Sequence, residues 1–271
     1  MRLTDLLRQP QSLPVVPDVA ARLIDAFNQE DVELLAIATE VERDPAMAAR
    51  LLRQANSAFF RLVRPVHSVR DAVMVLGLSK TKALVLVAAL QERFDVVKGI
   101  DLDAFWRYSF AAASVARLIC ASRRLDENVA YTAGLLHGVG ELVMHIGMPE
   151  EMLPIDRAAP LLSLQRTAAQ YRELGYSYAE AGAALIQHWR LPKLLAQAVE
   201  QHTNPLQYDP VEPLAAVIHL AAWRARVLVA GNRSEDLIHS YPDSVGELLE
   251  LDPDWLVSPT VGWLDQLLTA R

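Results

Sequence analysis

The sequence predicts an all-α protein, arranged as a multi-helix bundle of two packed helical lobes. Three observations support this fold class. Ala (39) and Leu (42) together supply 81 of the 271 residues, and both are strong helix formers. Gly, which weakens helices, contributes only 11 residues. Apolar residues also recur at helical spacing, as in Met47, Leu51, Leu52 and Ala55.

Helix start signals predict the elements of the first half of the chain. The dipeptide Asp44-Pro45 predicts a helix, because Asp accepts hydrogen bonds at the N-cap and Pro loses nothing at the first helical position. Ser79 can cap a helix that contains the apolar run Ala83–Leu90, which has no flanking turn residues and is therefore interpreted as helix. Asp101 opens a long helix whose apolar stripe includes Cys120, so we expect this thiol in the core.

Similar signals predict the helices of the second half. Asp126 is expected to open a helix that runs towards Met144. Ser177 and Glu180 have the spacing of a capping box. In this motif the Ser hydroxyl accepts a backbone N–H of the first helical turn, and the Glu carboxylate accepts the backbone N–H of the Ser. Further starts are predicted at Leu191-Pro192, at Pro213 with a helix through Val229, and at Asp252-Pro-Asp254.

The distribution of the 15 prolines predicts the domain organisation. None lies between Val66 and Met148. A long stretch without proline is typical of a block of packed helices, because proline interrupts helices. We expect an N-terminal helical lobe over residues 1–100 and a second lobe over 101–205. Residues 206–271 are predicted to form a C-terminal helical extension, packed on the same domain or buried in a homodimer.

Charge is unevenly distributed along the chain, whose formal net charge is -7. Residues 43–82 carry eight cations and two anions, a net charge of +6. This basic segment indicates contacts with a ligand or an acidic partner, and the residues proposed for them are Arg50, Arg53, Arg61 and Arg64. The alternative is that these side chains lie on solvated helix faces or pair with the acidic flanks. Nucleic-acid binding is not expected, because the segment has no aromatic stacking platform or helix-turn-helix pattern.

Composition also excludes several classes of protein. A single cysteine excludes an intramolecular disulfide and a cysteine-based zinc cage, and it fits a reducing compartment. The longest apolar run has 8 residues, whereas a spanning helix needs about 20. We therefore expect a cytoplasmic protein with no membrane partner.

One local motif suggests chemistry. The segment His137-Gly-Val-Gly140 is followed by Glu141 and His145, and an unbroken helix would place His137, Glu141 and His145 roughly on one face. Two such groups can hold a metal ion. A helical His that faces other helices is more often a hydrogen-bonded core residue. No nucleophile elbow, P-loop, HExxH or dinucleotide fingerprint is present.

Three ordered stretches carry a family resemblance. The first is Leu13–Pro17 (LPVVP), before an amphipathic segment. The second is Arg43–Phe60 (RDPAMAARLLRQANSAFF), followed by VHSVRDAV from Val66. The third is Ala133–Gly140 (AGLLHGVG), followed by Gly182–Pro192. Together they resemble the HDOD domain, a bacterial signalling relative of the HD phosphohydrolases. The resemblance implies an all-α bundle whose second lobe is HD-like, with a regulatory role in bacterial signal transduction.

The resemblance also implies where a metal site would lie. Active HD enzymes use His residues, a His-Asp pair and a distal Asp to hold one or two divalent metals that activate water. Here His137 matches the His of the pair, but Gly138 replaces its Asp. The remaining positions of this vestigial site are matched to Tyr108, Tyr178, His202 and Ala222, of which only His202 is a His.

Two imidazoles without a carboxylate are a poor site for Mg²⁺ or Mn²⁺, which prefer oxygen ligands. We therefore expect no bound metal, no other cofactor and no enzymatic activity. Three roles remain open for this region. His137 can link helices through a hydrogen bond, it can line a pocket that binds a ligand without turnover, or an unaligned carboxylate such as Glu141 can replace the lost acid. Glu141 is also proposed, like the arginines of the basic segment, as a contact for a ligand or partner.

The sequence thus favours a non-catalytic regulatory module that works by contacting other signalling proteins. The alternatives are a residual metal-dependent phosphohydrolase and a nucleotide-binding sensor. These functions can be distinguished by experiment, since only the phosphohydrolase requires both a metal and His137.

Overall fold

The computed structural model describes residues 1–9, 34–56, 63–94, 96–123, 125–230 and 239–257. Over these residues the regular secondary structure is helical and no strand is found, so the predicted all-α class is confirmed. Several features of the sequence analysis lie outside the described residues. These are the Leu13–Pro17 motif, residues 57–60 of the second family-like stretch, Arg61, and residues 231–238 and 258–271 of the predicted C-terminal extension.

The helices are numbered in chain order. They are α1 (Leu3–Leu6), α2 (Leu34–Glu42), α3 (Pro45–Ala55), α4 (Val69–Leu76), α5 (Leu78–Arg93), α6 (Leu102–Arg123), α7 (Glu127–Leu136), α8 (Val139–Gly147), α9 (Pro149–Ala158), α10 (Arg166–Leu174), α11 (Tyr178–His188), α12 (Lys193–Gln201), a 3₁₀ turn (Pro205–Gln207), α13 (Pro213–Ala230), α14 (Asp243–Leu248) and α15 (Pro253–Val257).

The chain divides into two compact units. The smaller unit comprises Pro14–Asp95 and Gln187–Pro192. The larger unit comprises Met1–Leu13, Val96–Ile186 and Lys193–Arg271. The smaller unit therefore contains α2 to α5, and the other helices belong mainly to the larger unit.

In the smaller unit α3 packs against α2, α4 and α5. It begins as the sequence predicts, because the Asp44 carboxylate accepts a hydrogen bond from the Met47 N–H at 3.1 Å. Just past its end, the Asn56 side chain makes two hydrogen bonds of 2.8 Å with the backbone N–H and C=O of Val66. The family-like stretch from Arg43 is thus joined to the segment that leads into α4.

Helix α5 explains the long apolar run. All of Ala83–Leu90 is at most 1% exposed, so the helix is buried on every side and needs no polar face. The helix starts at Leu78, after Gly77, so Ser79 lies inside its first turn and is not the N-cap that was expected. Gly77 has a φ of 77°, which a glycine adopts without strain, and this residue makes the turn between α4 and α5.

In the larger unit the 22-residue α6 packs along both α7 and α13. Asp101 caps it as predicted, with its carboxylate accepting the Ala104 N–H at 3.0 Å. Gly134 of α7 faces the backbone of Ala113, and a Cβ at Gly134 would lie 2.7 Å from the Ala113 Cα. The two helices therefore pack unusually closely. Cys120 is 1% exposed in this core, as expected.

The prediction of one helix from Asp126 towards Met144 is wrong, because the structure has two shorter helices there. Asp126 caps α7, but the chain leaves the helix after Leu136 and α8 starts at Val139. The break lets Gly140 approach α11, where a Cβ on Gly140 would overlap the carbonyl oxygen of Tyr178. His137 at the corner consequently does not share a helix face with Glu141 and His145.

The remaining start signals agree with the structure. The Ser177 hydroxyl accepts the Ala179 N–H at 3.2 Å, and Glu180 accepts the Ser177 N–H at 3.1 Å, which completes the capping box. Asp252 accepts the Asp254 N–H at 2.8 Å at the start of α15. None of the described helices combines the length and the apolar character that crossing a membrane requires.

Candidate functional site

Four side chains from different parts of the larger unit meet in its interior. Tyr108 comes from α6, His137 from the corner after α7, Tyr178 from the start of α11 and His202 from the end of α12. The ring centre of His137 lies 4.8 Å from that of Tyr108 and 5.4 Å from that of His202. All four residues are at most 5% exposed. The structure thus brings together four positions that the family resemblance matched to metal ligands.

The hydrogen bonds of this cluster form a chain in which Arg226 donates to Tyr178, Tyr178 to His202, and His202 to a backbone carbonyl. The His202 Nδ1–H donates to the Val199 carbonyl at 2.6 Å, so its Nε2 accepts the Tyr178 hydroxyl proton at 3.1 Å. The Tyr178 oxygen in turn accepts a hydrogen bond of 3.2 Å from Nη2 of Arg226. The His137 Nδ1–H donates to the Gly134 carbonyl at 2.6 Å. This leaves the buried Nε2 of His137 without a partner.

Arg226 is the member that the sequence analysis missed. Its guanidinium carbon lies 5.9 Å from the ring centre of Tyr108, and its Nε is buried without a hydrogen-bond partner. A signal was present in the sequence, because His219, Ala222 and Arg226 are spaced at i, i+3 and i+7 on α13. Arg226 follows Ala222 by one helical turn, so a guanidinium lies one turn beyond the position matched to the lost distal Asp.

Burial determines the protonation states of the cluster. Desolvation, with a smaller effect of the Arg226 charge, lowers the pKa of His137 to about 4. Desolvation and the neighbouring His137 lower the pKa of His202 well below its ordinary value. Burial raises the pKa of Tyr108. At neutral pH the cluster therefore contains neutral imidazoles and phenols beside one guanidinium cation.

Gly138 and Ala222 stand at the two positions that the family resemblance matched to Asp ligands. A Cβ on Gly138 would lie 3.3 Å from Cε2 of Phe105, whose side chain is 1% exposed. An Asp at position 138 would therefore crowd this ring, which would have to shift slightly. Ala222 is 2% exposed and belongs to an apolar cluster with Ala112 and Ala225.

Glu141 does not belong to this cluster. Its carboxylate is 3% exposed, and it accepts hydrogen bonds from Nε and Nη2 of Arg166 and from the Gln170 side chain. Glu141 thus departs from the expectation that it contacts a ligand or partner or replaces the lost acid. The reason is that the turn at Gly138 directs α8 towards α10, where both carboxylate oxygens are used.

The cluster does not fit a divalent metal. Among the described residues, no three His, Cys, Asp or Glu side chains are arranged to hold a metal ion. His137 and His202 supply nitrogen ligands only, and Nε2 of His202 is already bonded to Tyr178. The Arg226 cation beside them repels a second positive charge. Hard divalent cations prefer oxygen ligands, and this cluster provides no carboxylate.

A cavity of about 630 Å³ opens beside the cluster. Tyr178, His202 and Arg226 line it, together with His219 and Ala222 from α13. The His219 Nδ1–H donates to the carbonyl of His202 at 2.7 Å. The cluster is therefore connected to a space large enough for a small molecule.

The predicted contact arginines of the basic segment lie elsewhere, in the smaller unit. Arg53 and Arg64 are exposed, and Arg50 is partly buried. Two other cations of the segment pair with acidic residues on α2, Arg43 with Glu40 and Arg70 with Glu42. Part of the basic charge is thus balanced within the unit.

Comparison with known proteins identifies the family. The model of the HDOD domain matches residues 13–205, which is more than half of the chain. The chain belongs to the HDOD family. The match includes the Tyr108, His137, Tyr178 and His202 positions but ends before Arg226.

Solved structures resemble this HDOD protein over nearly its whole length. A candidate phosphohydrolase from Shewanella amazonensis SB2B is 27% identical, with a TM-score of 0.77 over 97% of this chain and 98% of that one. A candidate signal transduction protein from Marinobacter aquaeolei VT8 is 25% identical, with a TM-score of 0.75 over 100% of this chain and 60% of that one.

A curated relative is longer than this HDOD chain. It is an uncharacterized protein of Treponema pallidum (strain Nichols), 25% identical over 221 residues, which are 80% of this chain. The match spans only 42% of the relative's own length.

Proposed function

We propose that this HDOD protein is a non-catalytic signal-transduction module that acts by contacting other proteins. The family and the likeness to a candidate signal transduction protein support the signalling role. The proposal has two parts, the absence of phosphoester hydrolysis and the use of a protein surface, and each part has its own test.

One observation carries the first part. The Arg226 guanidinium binds Tyr178 and lies beside the two neutral imidazoles, where metal-dependent hydrolysis would require a divalent cation and carboxylates. Metal-bound water is activated by the charge of the metal, and a fixed guanidinium cannot coordinate water in this way. The geometry therefore supports binding or regulation in preference to hydrolysis.

The first test is a hydrolysis assay. Purified protein is incubated with Mn²⁺ or Mg²⁺ and a panel of nucleoside monophosphates, nucleoside triphosphates and cyclic dinucleotides. We expect no turnover above the rate of the His137→Ala variant. Metal-dependent turnover that this variant abolishes would instead support the residual phosphohydrolase and overturn the non-catalytic proposal.

The second part concerns the exposed cations of the smaller unit. Arg53 lies on α3 and Arg64 on the segment before α4, and both side chains extend into solvent. Cations at such positions increase the rate of encounter with an acidic surface and contribute to its specificity. We therefore infer that the partner presents carboxylates to this part of the chain.

The second test is partner capture with matched charge reversals. Partners from the source organism are identified by cross-linking, and the affinity of a purified partner is then measured. Arg53→Glu and Arg64→Glu should weaken binding and reduce its salt dependence. Arg107→Glu reverses an exposed cation of α6 in the larger unit and should leave binding unchanged. Equal binding by all three variants would contradict the role of the basic segment.

A further inference from the structure

The cavity beside the His137 cluster has an unusual charge pattern. Its described lining includes one charged side chain, Arg226, among neutral polar and apolar groups. The neutral polar groups include Thr203, Asn204 and Gln207, while Leu164 and Ala222 contribute apolar wall. Because the rest of the described lining is neutral, Arg226 provides a single position at which a negatively charged group of a ligand can bind.

The Arg226 charge has no acidic partner among the described residues. None of their ion pairs within 4.0 Å includes Arg226. Glu141 is the acid that influences Arg226 electrostatically, but both of its oxygens are bonded to Arg166 and Gln170. The phenol of Tyr178 is thus a neutral partner for a group whose burial is costly without a counter-charge.

Unused donor capacity accompanies the unpaired charge. The Arg226 Nε is buried and donates to no described group, although a guanidinium carries five N–H donors in a fixed planar arrangement. Such an arrangement binds carboxylate or phosphate oxygens through two parallel hydrogen bonds. An oxyanion in the cavity that Arg226 lines would neutralise the cation and accept hydrogen bonds from its guanidinium.

The size and lining of the cavity restrict the ligand. A volume of about 630 Å³ lies in the range of small-molecule sites and is much larger than an inorganic ion needs. A single cation matches a single oxyanion group, and a triphosphate would leave further negative charge without a counterpart. The neutral polar and apolar wall of the cavity suits a ligand whose remaining part is uncharged.

We propose that this cavity binds a small organic molecule with one oxyanion group, a phosphate or a carboxylate, which Arg226 holds without a metal. The site lies entirely in the larger unit. It does not rest on the protein-contact function, because the basic segment lies in the smaller unit.

The test uses two matched pairs of probes at constant ionic strength. AMP with uncharged adenosine represents the phosphate group, and benzoate with uncharged benzamide represents the carboxylate. We expect AMP or benzoate to bind saturably by calorimetry and to raise Tm, and its uncharged match to bind at least about tenfold more weakly. This contrast follows from the loss of charge-assisted hydrogen bonds.

The variants Arg226→Met and Arg172→Met separate binding from folding. Arg172 is an exposed cation on α10 that pairs with Glu173, so its loss should leave binding unchanged. Arg226→Met should abolish the anion-dependent rise in Tm while leaving the Tm of the free protein equal or higher, since it removes an unpaired charge. Tyr178→Phe should weaken binding less than Arg226→Met does, because it removes one hydrogen bond that positions the guanidinium and leaves the charge in place.

Two results would overturn the proposal. One is that neither AMP nor benzoate binds the unsubstituted protein. The other is that Arg226→Met keeps the full anion response. Neither the presence of hydrolysis nor the absence of partner capture has a bearing on either result, so this inference can fail independently of the proposed function.

Discussion

Arg166 and Glu141 form a doubly hydrogen-bonded ion pair in the interior of the larger unit. The Arg166 Nε donates to Oε1 at 2.9 Å, and its Nη2 donates to Oε2 at 2.7 Å. Arg166 is 0% exposed, and its Nη1 also binds the Asp156 carboxylate at 2.7 Å and the Ala159 carbonyl at 2.8 Å. The pair connects α8 to α10, and the Asp156 contact extends the connection to α9.

We expect Arg166→Met to lower the free energy of unfolding by about 3–5 kcal/mol, because it leaves the buried Glu141 charge without compensation. Urea denaturation at neutral pH measures this change. The double variant Arg166→Met/Glu141→Leu should recover a large part of the loss. Arg172→Met, which breaks the exposed pair with Glu173, should change stability by less than about 1 kcal/mol. Equal effects of the two arginine substitutions would contradict this assignment.

Gly140→Ala should destabilise the protein by about 3 kcal/mol or more, because backbone atoms surround the missing Cβ and cannot rotate away. The nearest atoms are the Tyr178 carbonyl oxygen and the Gly182 nitrogen. Thermal unfolding measures the loss. Ala184→Gly on α11 is the control for helix propensity and should cost about 1 kcal/mol. A Gly140→Ala variant as stable as the parent would show that α8 and α11 are further apart.

Acid should destabilise the fold through His137. Its pKa is about 4 in the folded chain, mainly because of burial, and 6.5 is the ordinary value that applies after unfolding. The unfolded state therefore binds a proton that the folded state does not, and this contribution to stability is lost as pH falls from about 6.5 towards 4. We expect His137 alone to account for a loss of about 2 kcal/mol between pH 7 and pH 5.

The measurement is urea denaturation of His137→Asn at both pH values. This variant should show a smaller loss between pH 7 and pH 5 than the parent, whatever its absolute stability. His67→Asn changes an exposed histidine of the smaller unit and should retain the parent's dependence on pH. An unchanged acid response in His137→Asn would argue that this imidazole is not buried in the neutral form.

Restoring the His-Asp pair should not create a metal site. In Gly138→Asp the new Cβ lies about 3.3 Å from the Phe105 ring, so we expect a loss of about 1–3 kcal/mol from crowding. The Arg226 charge remains beside the imidazoles. Calorimetry should detect no saturable Mn²⁺ binding. Tight Mn²⁺ binding that a second substitution, His137→Ala, removes would show that one carboxylate is enough.

Sequence patterns predicted the local part of this structure well. The starts at Asp44, Asp101, Asp126 and Asp252 depend on a side chain and the next few N–H groups, which the sequence places side by side. The end of α7 could not be read in the same way. It depends on the approach of Gly140 to α11, a contact between residues far apart in the chain.

The candidate site likewise has residues that local motifs or the family resemblance indicate and one residue that depends on contacts between distant parts of the chain. The HGVG motif made His137 and Gly138 visible, and the family resemblance pointed to Tyr108, Tyr178 and His202, which the structure places around His137 or in contact with one another. Arg226 was missed because its helical spacing from His219 and Ala222 is a weak signal and no motif marks its position. Its role in the proposal comes from partial burial and from the absence of an ion-pair partner among the described residues, and neither property is local in sequence.

The backbone fixes the proton position in the buried His137 and His202 and in the partly buried His219. His137, His202 and His219 each direct Nδ1–H at a main-chain carbonyl, so each neutral ring is held as the Nδ1-protonated tautomer. The nitrogen NMR spectrum should therefore show these three rings in the rarer imidazole form. Because helix-end carbonyls impose it, this spectral signature should persist whether the neighbouring cavity is filled or empty.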